Sequence, residues 1–257
     1  LLHSGGVPVS GVLNSDVEKN GSDRVVSYFK ERILRGELKV GDRVMPEREL
    51  AQHLDVGRPL LREVMKSLAM LGFLNVRQGS GTYIAKADIR VLSDFFTFCL
   101  SQEQDVLEDV MQARMAIECQ AIRLACERAN EADLARIGQW LGTLIDTLTD
   151  PEAGGRADFM FHQSIVAASH SRALTTLYGA MAELLQRSHV QRRVTTYRNP
   201  EIVWVLVDAH REVFLSIVAK DPDQADRRLR EHFAIGDELR RRSLIETYRG
   251  APAKQIN

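Results

Sequence analysis

The 257-residue chain is poor in cysteine, has no long apolar run and, at a formal net charge of −1, has almost no charge of one sign to spare. Each shortage excludes something. Its three cysteines, Cys99, Cys119 and Cys126, fall in helical patterns, and the last two are seven apart, a packing interval on one helix face. That points to a reducing compartment rather than a disulfide scaffold. No stretch is apolar for long enough to cross a bilayer, and residues 1–13 lack the basic start and apolar centre of a secretion signal. A cytoplasmic location is expected. The near-neutral total says nothing for nucleic acid, but it hides a division. Residues 22–86 carry 12 Lys+Arg against 8 Asp+Glu, whereas residues 87–257 carry 21 against 25. A basic module followed by an acidic remainder fits a phosphate-contacting head on a body with another task, and the length suits roughly two domains.

The basic part is patterned. Residues 22–35 read as a helix with Val25, Val26, Phe29 and Ile33 on one face. Pro46 suits a first helical turn, Glu47 and Glu49 sit near the positive end of its dipole, and Leu50 and Leu54 share a face. Asp55-Val56-Gly57 reads as a turn, with Gly57 supplying backbone freedom. A second helix starts near Pro59, with Leu61, Val64, Leu68 and Leu71 as a buried stripe and Arg58, Arg62 and Lys66 as a separate basic stripe. Gly72 ends it. Residues 73–77 and 82–84 are strand-like, joined through Gly79-Ser80-Gly81. Helix, turn, helix and β-wing in this order predict a winged helix-turn-helix, whose second helix is shaped for the major groove of DNA.

Beyond Ala85 strand signals are absent and no fixed-period repeat occurs. Helices are predicted at about 89–100, 105–129, 131–149, 156–169, 172–197, 201–219 and 222–247, which with short breaks makes an antiparallel all-α bundle. The fold class is therefore mainly α: a winged helix-turn-helix over 22–86, an all-helical domain over 87–250, and tails at 1–21 and 251–257. In the bundle, Asp158 and His162 are four apart and point the same way; His210 and His232 stand on later helices. Three imidazoles and a carboxylate brought together suit a divalent transition metal such as zinc or nickel. The alternative for each is a structural, partly buried histidine. His3 lies in the tail, His53 on the helix before the turn, His170 in a loop, and His189 on a helix, where it either is structural or faces the cavity of the bundle.

These elements resemble the GntR family of bacterial transcription regulators. Gly36-Glu37-Leu38 with Gly41, Pro46-Glu47-Arg48-Glu49-Leu50-Ala51, the run from Val56 to Met65 and Gly79-Ser80-Gly81 match that family's DNA-binding domain. Val44-Met45, Gly57 and Leu60 depart from its pattern, which bears on the operator sequence more than on DNA binding. The second half resembles the FCD effector domain of the FadR subfamily. Asp158-Phe159-Met160-Phe161-His162, His210 and His232 occupy that domain's metal-ligand positions. Arg114, in an R-x-x-x-E element with Glu118, occupies the place of an arginine that clamps a ligand carboxylate; the other reading is a helix-surface pair with Glu118. Arg192, Arg193 and Arg211 are further basic candidates for the cavity rim, with solvated surface charge the favoured reading for each.

The resemblance implies a homodimeric regulator, not an enzyme, and a repressor in the commoner arrangement. It would bind double-stranded, near-palindromic operator DNA under control of a small carboxylic acid effector. Arg58 and Arg62 would approach base edges, Arg48 a phosphate, and Gln78, Gly79 and Ser80 the minor groove. The helix at 89–100, with Phe95, Phe96 and Phe98, would couple the modules. Competing readings are a metal-dependent hydrolase or lyase and a regulator with a purely structural metal.

Overall fold

A computed structural model describes residues 20–250 apart from 101, 103–105 and 197–199. The two tails, residues 1–19 and 251–257, and most of the break expected at 101–104 lie outside the described residues. The chain divides into two compact units, residues 1–88 and 89–257.

The first unit is a winged helix-turn-helix. Helix α1 (Gly21–Leu34) begins one residue inside the expected tail, because Asn20 accepts the Asp23 amide and caps it. Val25 and Phe29 enter the core, but Val26 and Ile33 are exposed, so the buried face is narrower than the pattern predicts. Helices α2 (Glu47–His53) and α3 (Arg58–Met70) follow. The turn between them takes its left-handed residue at Asp55 (φ 49°). Gly57, expected to need that freedom, is extended (φ −66°) and serves as the N-cap of α3 with no side-chain bond. On α3, Leu61, Val64 and Met65 are buried, whereas Leu71, expected in the stripe, is the exposed C-cap. Gly72 (φ 76°) then turns the chain. Strands β1 (Leu74–Arg77) and β2 (Gly81–Ile84) pair antiparallel, from Leu74 opposite Ile84 to Arg77 opposite Gly81.

The second unit has eight helices among its described residues: α4 (Ile89–Leu100), α5 (Val106–Arg128), α6 (Glu131–Asp146), α7 (Pro151–Ala168), α8 (Arg172–Ala180), α9 (Ala182–Thr196), α10 (Pro200–Val218) and α11 (Pro222–Gly250). None of the described helices is long and apolar enough to cross a membrane. Two boundaries differ from expectation. Helix α7 starts at Pro151, not near 156, since Asp150 accepts the amides of Glu152 and Ala153 and so places proline in the first turn. The expected helix 172–197 is two, broken at Met181; Ile89 of α4 packs against Gly179 just before the break.

Helix α7 is the hub, packed against α5, α6, α8 and α9. From Ala157 to Ala168 it has no exposed residue, with Phe159, Phe161, Ile165 and Val166 buried, as a central helix must be. Its two glycines explain how closely α9 lies. A Cβ on Gly155 would sit 2.8 Å from the Val190 Cα, and one on Gly154 would overlap the Arg193 guanidinium. The pair that reads as a break in the sequence is thus a seat for α9.

Candidate metal centre, ligand cavity and nucleic-acid interface

The structure brings Asp158, His162, His210 and His232 together from α7, α10 and α11. One ring nitrogen each of His162, His210 and His232 lie within 4.8 Å of one another, and all three residues are buried. The His210 and His232 rings are 4.2 Å apart, and those of His162 and His232 5.1 Å.

Which nitrogen each ring presents follows from what holds the other. Glu118 on α5, fully buried, takes His162 Nδ1 at 2.7 Å, Arg114 Nε at 2.6 Å and the Tyr178 hydroxyl at 2.9 Å. Burial pushes the Glu118 carboxyl up, but Arg114 and His162 outweigh it and hold it at about 2. A carboxylate only accepts, so His162 Nδ1 donates and its lone pair falls on Nε2. That buried Nε2 has no hydrogen-bond partner. His210 Nδ1 likewise donates to the Leu206 carbonyl at 2.7 Å, leaving its Nε2 as the acceptor. Burial, with His210 and His162 adding to it, keeps the His232 imidazole well below its usual range.

Asp158 faces these nitrogens. Its Oδ1 is 3.4 Å from His162 Nε2 and 3.2 Å from His210 Nε2. Two lone-pair nitrogens and a carboxylate oxygen converging without hydrogens between them are a poor neutral cluster and a good cation cage. Four ligands at about 2.0–2.1 Å around a tetrahedral zinc are separated by about 3.3 Å, which matches both distances. The donor set thus fits a divalent transition metal, and Glu118 and the Leu206 carbonyl are the outer partners such a centre uses to aim its imidazoles. Burial pushes the Asp158 carboxyl up, and its neighbours, His189 foremost, outweigh this and leave it well below the ordinary carboxylate range.

A cavity of about 80 Å³ opens beside this cluster, with Arg114, Asp158, His189, Arg193 and His232 in its wall. Arg114 is 3% exposed, so its pair with Glu118 is not the weak surface contact. Its guanidinium lies 4.8 Å over the Phe233 ring, and Nη2 is buried with no hydrogen-bond partner. Two residues take the less favoured of their two sequence readings. His189 sets Nδ1 3.2 Å from Asp158 Oδ1, and Arg193, expected on the surface, is 2% exposed and 3.6 Å from Asp158 Oδ2. Both come from α9, whose approach depends on Gly154 and Gly155. The signal existed in the sequence, in that glycine pair, but reads locally as a helix break. Arg211 is solvent-facing as expected, paired with Asp208, while Arg192 lines the cavity and meets Asp237 at 3.1 Å.

In the first unit, Arg48, Arg58, Arg62 and Lys66 are exposed. Arg62 is held by Glu47 at 2.8 Å, an ion pair between α2 and α3. Gln78, Gly79 and Ser80 form the exposed wing tip, where Gly79 (φ 75°) and Gly81 (φ 109°) make the turn. Arg43 packs against Gly81.

The architecture, a winged helix-turn-helix followed by a helical bundle with a buried His/Asp cluster, defines a two-module bacterial regulator. Residues 22–84 match the description "Bacterial regulatory proteins, gntR family", and residues 109–234 match the FCD domain. The chain belongs to the GntR family of transcription regulators, with an FCD domain as its second part. It is 28% identical over 201 residues to the HTH-type transcriptional regulator LutR of Bacillus subtilis (strain 168), covering 78% of this chain and 92% of that one. It is 29% identical over 219 residues to the putative L-lactate dehydrogenase operon regulatory protein of Escherichia coli (strain K12), covering 83% and 84%. Among solved structures, Streptococcus agalactiae GntR superposes with a TM-score of 0.59 at 26% identity, covering 86% of this chain and 98% of that one. These relatives are regulators, and the chain is a regulator rather than an enzyme.

Proposed function

We propose that this chain is a homodimeric, FadR-subfamily repressor of the cytoplasm whose operator affinity is set by a small carboxylic acid bound at a metal site in the helical domain. The observation that carries this reading is the coincidence, around one cavity, of a lone-pair imidazole cluster around Asp158 and the partnerless Nη2 of Arg114. A cation and a planar guanidinium are two complementary ways of holding a carboxylate.

Asp158, His162, His210 and His232 would hold the metal, zinc or nickel by donor type. When bound, the metal would supply a Lewis-acidic position for a carboxylate. Arg114, aimed by Glu118, would pair with that carboxylate, and His162 is kept in its ligating tautomer by the same Glu118. On DNA, two heads related by a two-fold axis read a near-palindromic site. Arg58 and Arg62 reach base edges or the adjacent phosphates, Arg48 a phosphate, and Gln78, Gly79 and Ser80 the minor groove. The acid acts by binding the DNA-competent and DNA-incompetent shapes with different affinities. One relative's name ties it to an L-lactate dehydrogenase operon, which is consistent with an acid as the signal.

The test is a thermal-shift screen of metal-analysed protein against small carboxylic acids, followed by operator binding with and without each hit. A shift that needs both metal and Arg114, and that weakens operator binding, is the expected result. Metal-containing protein that no acid stabilises would mean a structural metal instead.

A further inference from the structure

The loop before α2 adds a third edge to the wing sheet. Val44 N donates to the Thr82 carbonyl at 2.8 Å and Ile84 N to the Asp42 carbonyl at 2.9 Å, so Arg43 stands opposite Tyr83. On the other side of β2, Asn75 stands opposite Tyr83 and Arg77 opposite Gly81. Opposed residues share a face, and successive residues alternate. Val44, Leu74 and Ile84 are buried on the inner face. The outer face therefore holds Arg43, Asn75, Arg77, Gly81 and Tyr83: two guanidinium groups and no carboxylate.

Both arginines are exposed, yet both are held. The Arg77 guanidinium lies 4.6 Å from the centroid of the Tyr83 ring, and a stacked guanidinium keeps its planar N–H edge for other partners. The Tyr83 hydroxyl is bonded to Ser80 Oγ at 2.9 Å, which joins this ring to the wing tip. Arg43 lies along Gly81, where a Cβ would meet its Nε at 3.0 Å and its Nη2 at 3.3 Å. Among the described residues neither arginine pairs with a carboxylate. Arg24, Arg32 and Arg62 of the same unit do, with Asp55, Glu37 and Glu47. Asp42, next to Arg43 in the chain, instead accepts the Lys39 amide at 2.8 Å.

We propose that Arg43 and Arg77 bind the DNA backbone: the outer face of the wing sheet takes phosphates beside the groove that the wing tip enters. The inference rests on the wing reading above and deepens it, with two contacts that belong neither to the recognition helix nor to the tip.

Place and charge carry the argument. Arg77 and Gly81 are the last opposed pair before the tip at 78–80, so Arg77, and the Arg43 head laid on Gly81, stand directly beside it. A tip that enters a groove brings its flanks to the phosphates that wall the groove. Guanidinium groups are suited to phosphate, and side chains already ordered lose less freedom on binding. Phosphate contacts position a protein without reading sequence, so this face should act on any duplex.

The experiment is fluorescence anisotropy of the full chain with a short mixed-sequence DNA duplex across a potassium chloride series, alongside melting curves. The logarithm of the binding constant falls linearly with that of the salt concentration, by about 0.9 in slope for each phosphate neutralised. Arg43→Ala and Arg77→Ala should each flatten the slope by about 0.9 and weaken binding by about three- to tenfold at low salt, with melting unchanged. Arg43→Lys keeps the charge and should keep most of the slope. Alanine variants that match a duplex-binding wild type in slope and affinity overturn the inference and leave the rest of the DNA reading standing. Weaker binding with an unchanged slope and a lower melting point also overturns it, assigning the arginines to the packing of the wing. A wild type that binds no duplex removes the DNA reading and this inference with it.

Discussion

Glu118 and His162 lie 44 residues apart in the chain and 2.7 Å apart in the fold, carboxylate oxygen to Nδ1. The other oxygen of the same carboxylate takes Arg114 and Tyr178. One buried acid therefore aims both an imidazole of the candidate centre and the guanidinium of the cavity wall.

Glu118→Gln removes the charge and keeps the shape. Metal affinity should fall by about 10–100-fold, the usual loss for an outer partner of a ligating imidazole, with binding of carboxylic acids falling too. Competition with a coloured chelator measures the first. Unchanged metal affinity would show that His162 does not depend on this contact.

Metal removal should lower the thermal midpoint, since a ligand that binds only the folded state stabilises it by mass action. His162→Ala should abolish that difference between metal-loaded and stripped protein. A variant that retains full metal by elemental analysis would mean the ligand set is misread.

The seat of α9 on α7 predicts opposite signs for two glycines. Gly155→Ala would put a methyl 2.8 Å from the Val190 Cα, forcing the helices apart and destabilising by about 1–3 kcal/mol. Gly142→Ala on α6 meets nothing within 4 Å and should stabilise by about 0.5–1 kcal/mol through the usual helix preference. Urea unfolding of the two variants reads both signs.

On the DNA side, Arg58→Ala and Arg62→Ala should weaken operator binding by about 1–3 kcal/mol if they reach base edges, whereas Arg48→Ala should weaken all sequences alike and flatten the salt dependence by about one unit of slope. Fluorescence anisotropy across a salt series separates these. Equal losses on operator and scrambled duplex for all three would place every one of them on phosphate.

Burial pushes the Cys119 thiol up to about 12 and the Cys126 thiol up to about 11, from 9.0. Unfolded thiols ionise near 9 while the folded ones stay protonated, so the unfolded state binds fewer protons above that pH and stability falls between pH 9 and about 12. At neutral pH, Cys99, exposed on α4, should be alkylated by iodoacetamide well before either buried thiol. Mass spectrometry of tryptic peptides orders the three.

What the sequence shows plainly here is local periodicity. Asp158 and His162 share a helix face by their spacing alone, and the order of helix, turn, helix and wing is written in proline, glycine and leucine positions. What it hides is pairing across distance and the reason for a glycine. Glu118 stands beside Arg114 in a readable i, i+4 element, yet its bond to α7 has no local sign. Gly154 and Gly155 interrupt the helical pattern by propensity, but the space they leave for α9 outweighs that cost. Gly57 and Asp55 show the reverse error: the left-handed turn residue is the aspartate, which tolerates that conformation, and the glycine is extended.

Arg193 bears on the order of events at the cavity. Its guanidinium lies 3.6 Å from Asp158, as that of Arg114 lies against Glu118, so the buried charges cancel in pairs before anything binds. A dication held by the imidazoles, as proposed, would leave the pocket with an uncompensated double positive charge in a poorly screened place. An anion then relieves that excess, and by linkage the anion must tighten the metal by the same factor as the metal tightens the anion. On the proposed reading the two would form one composite signal, and a protein starved of metal would need more of the acid, by that same factor, to respond.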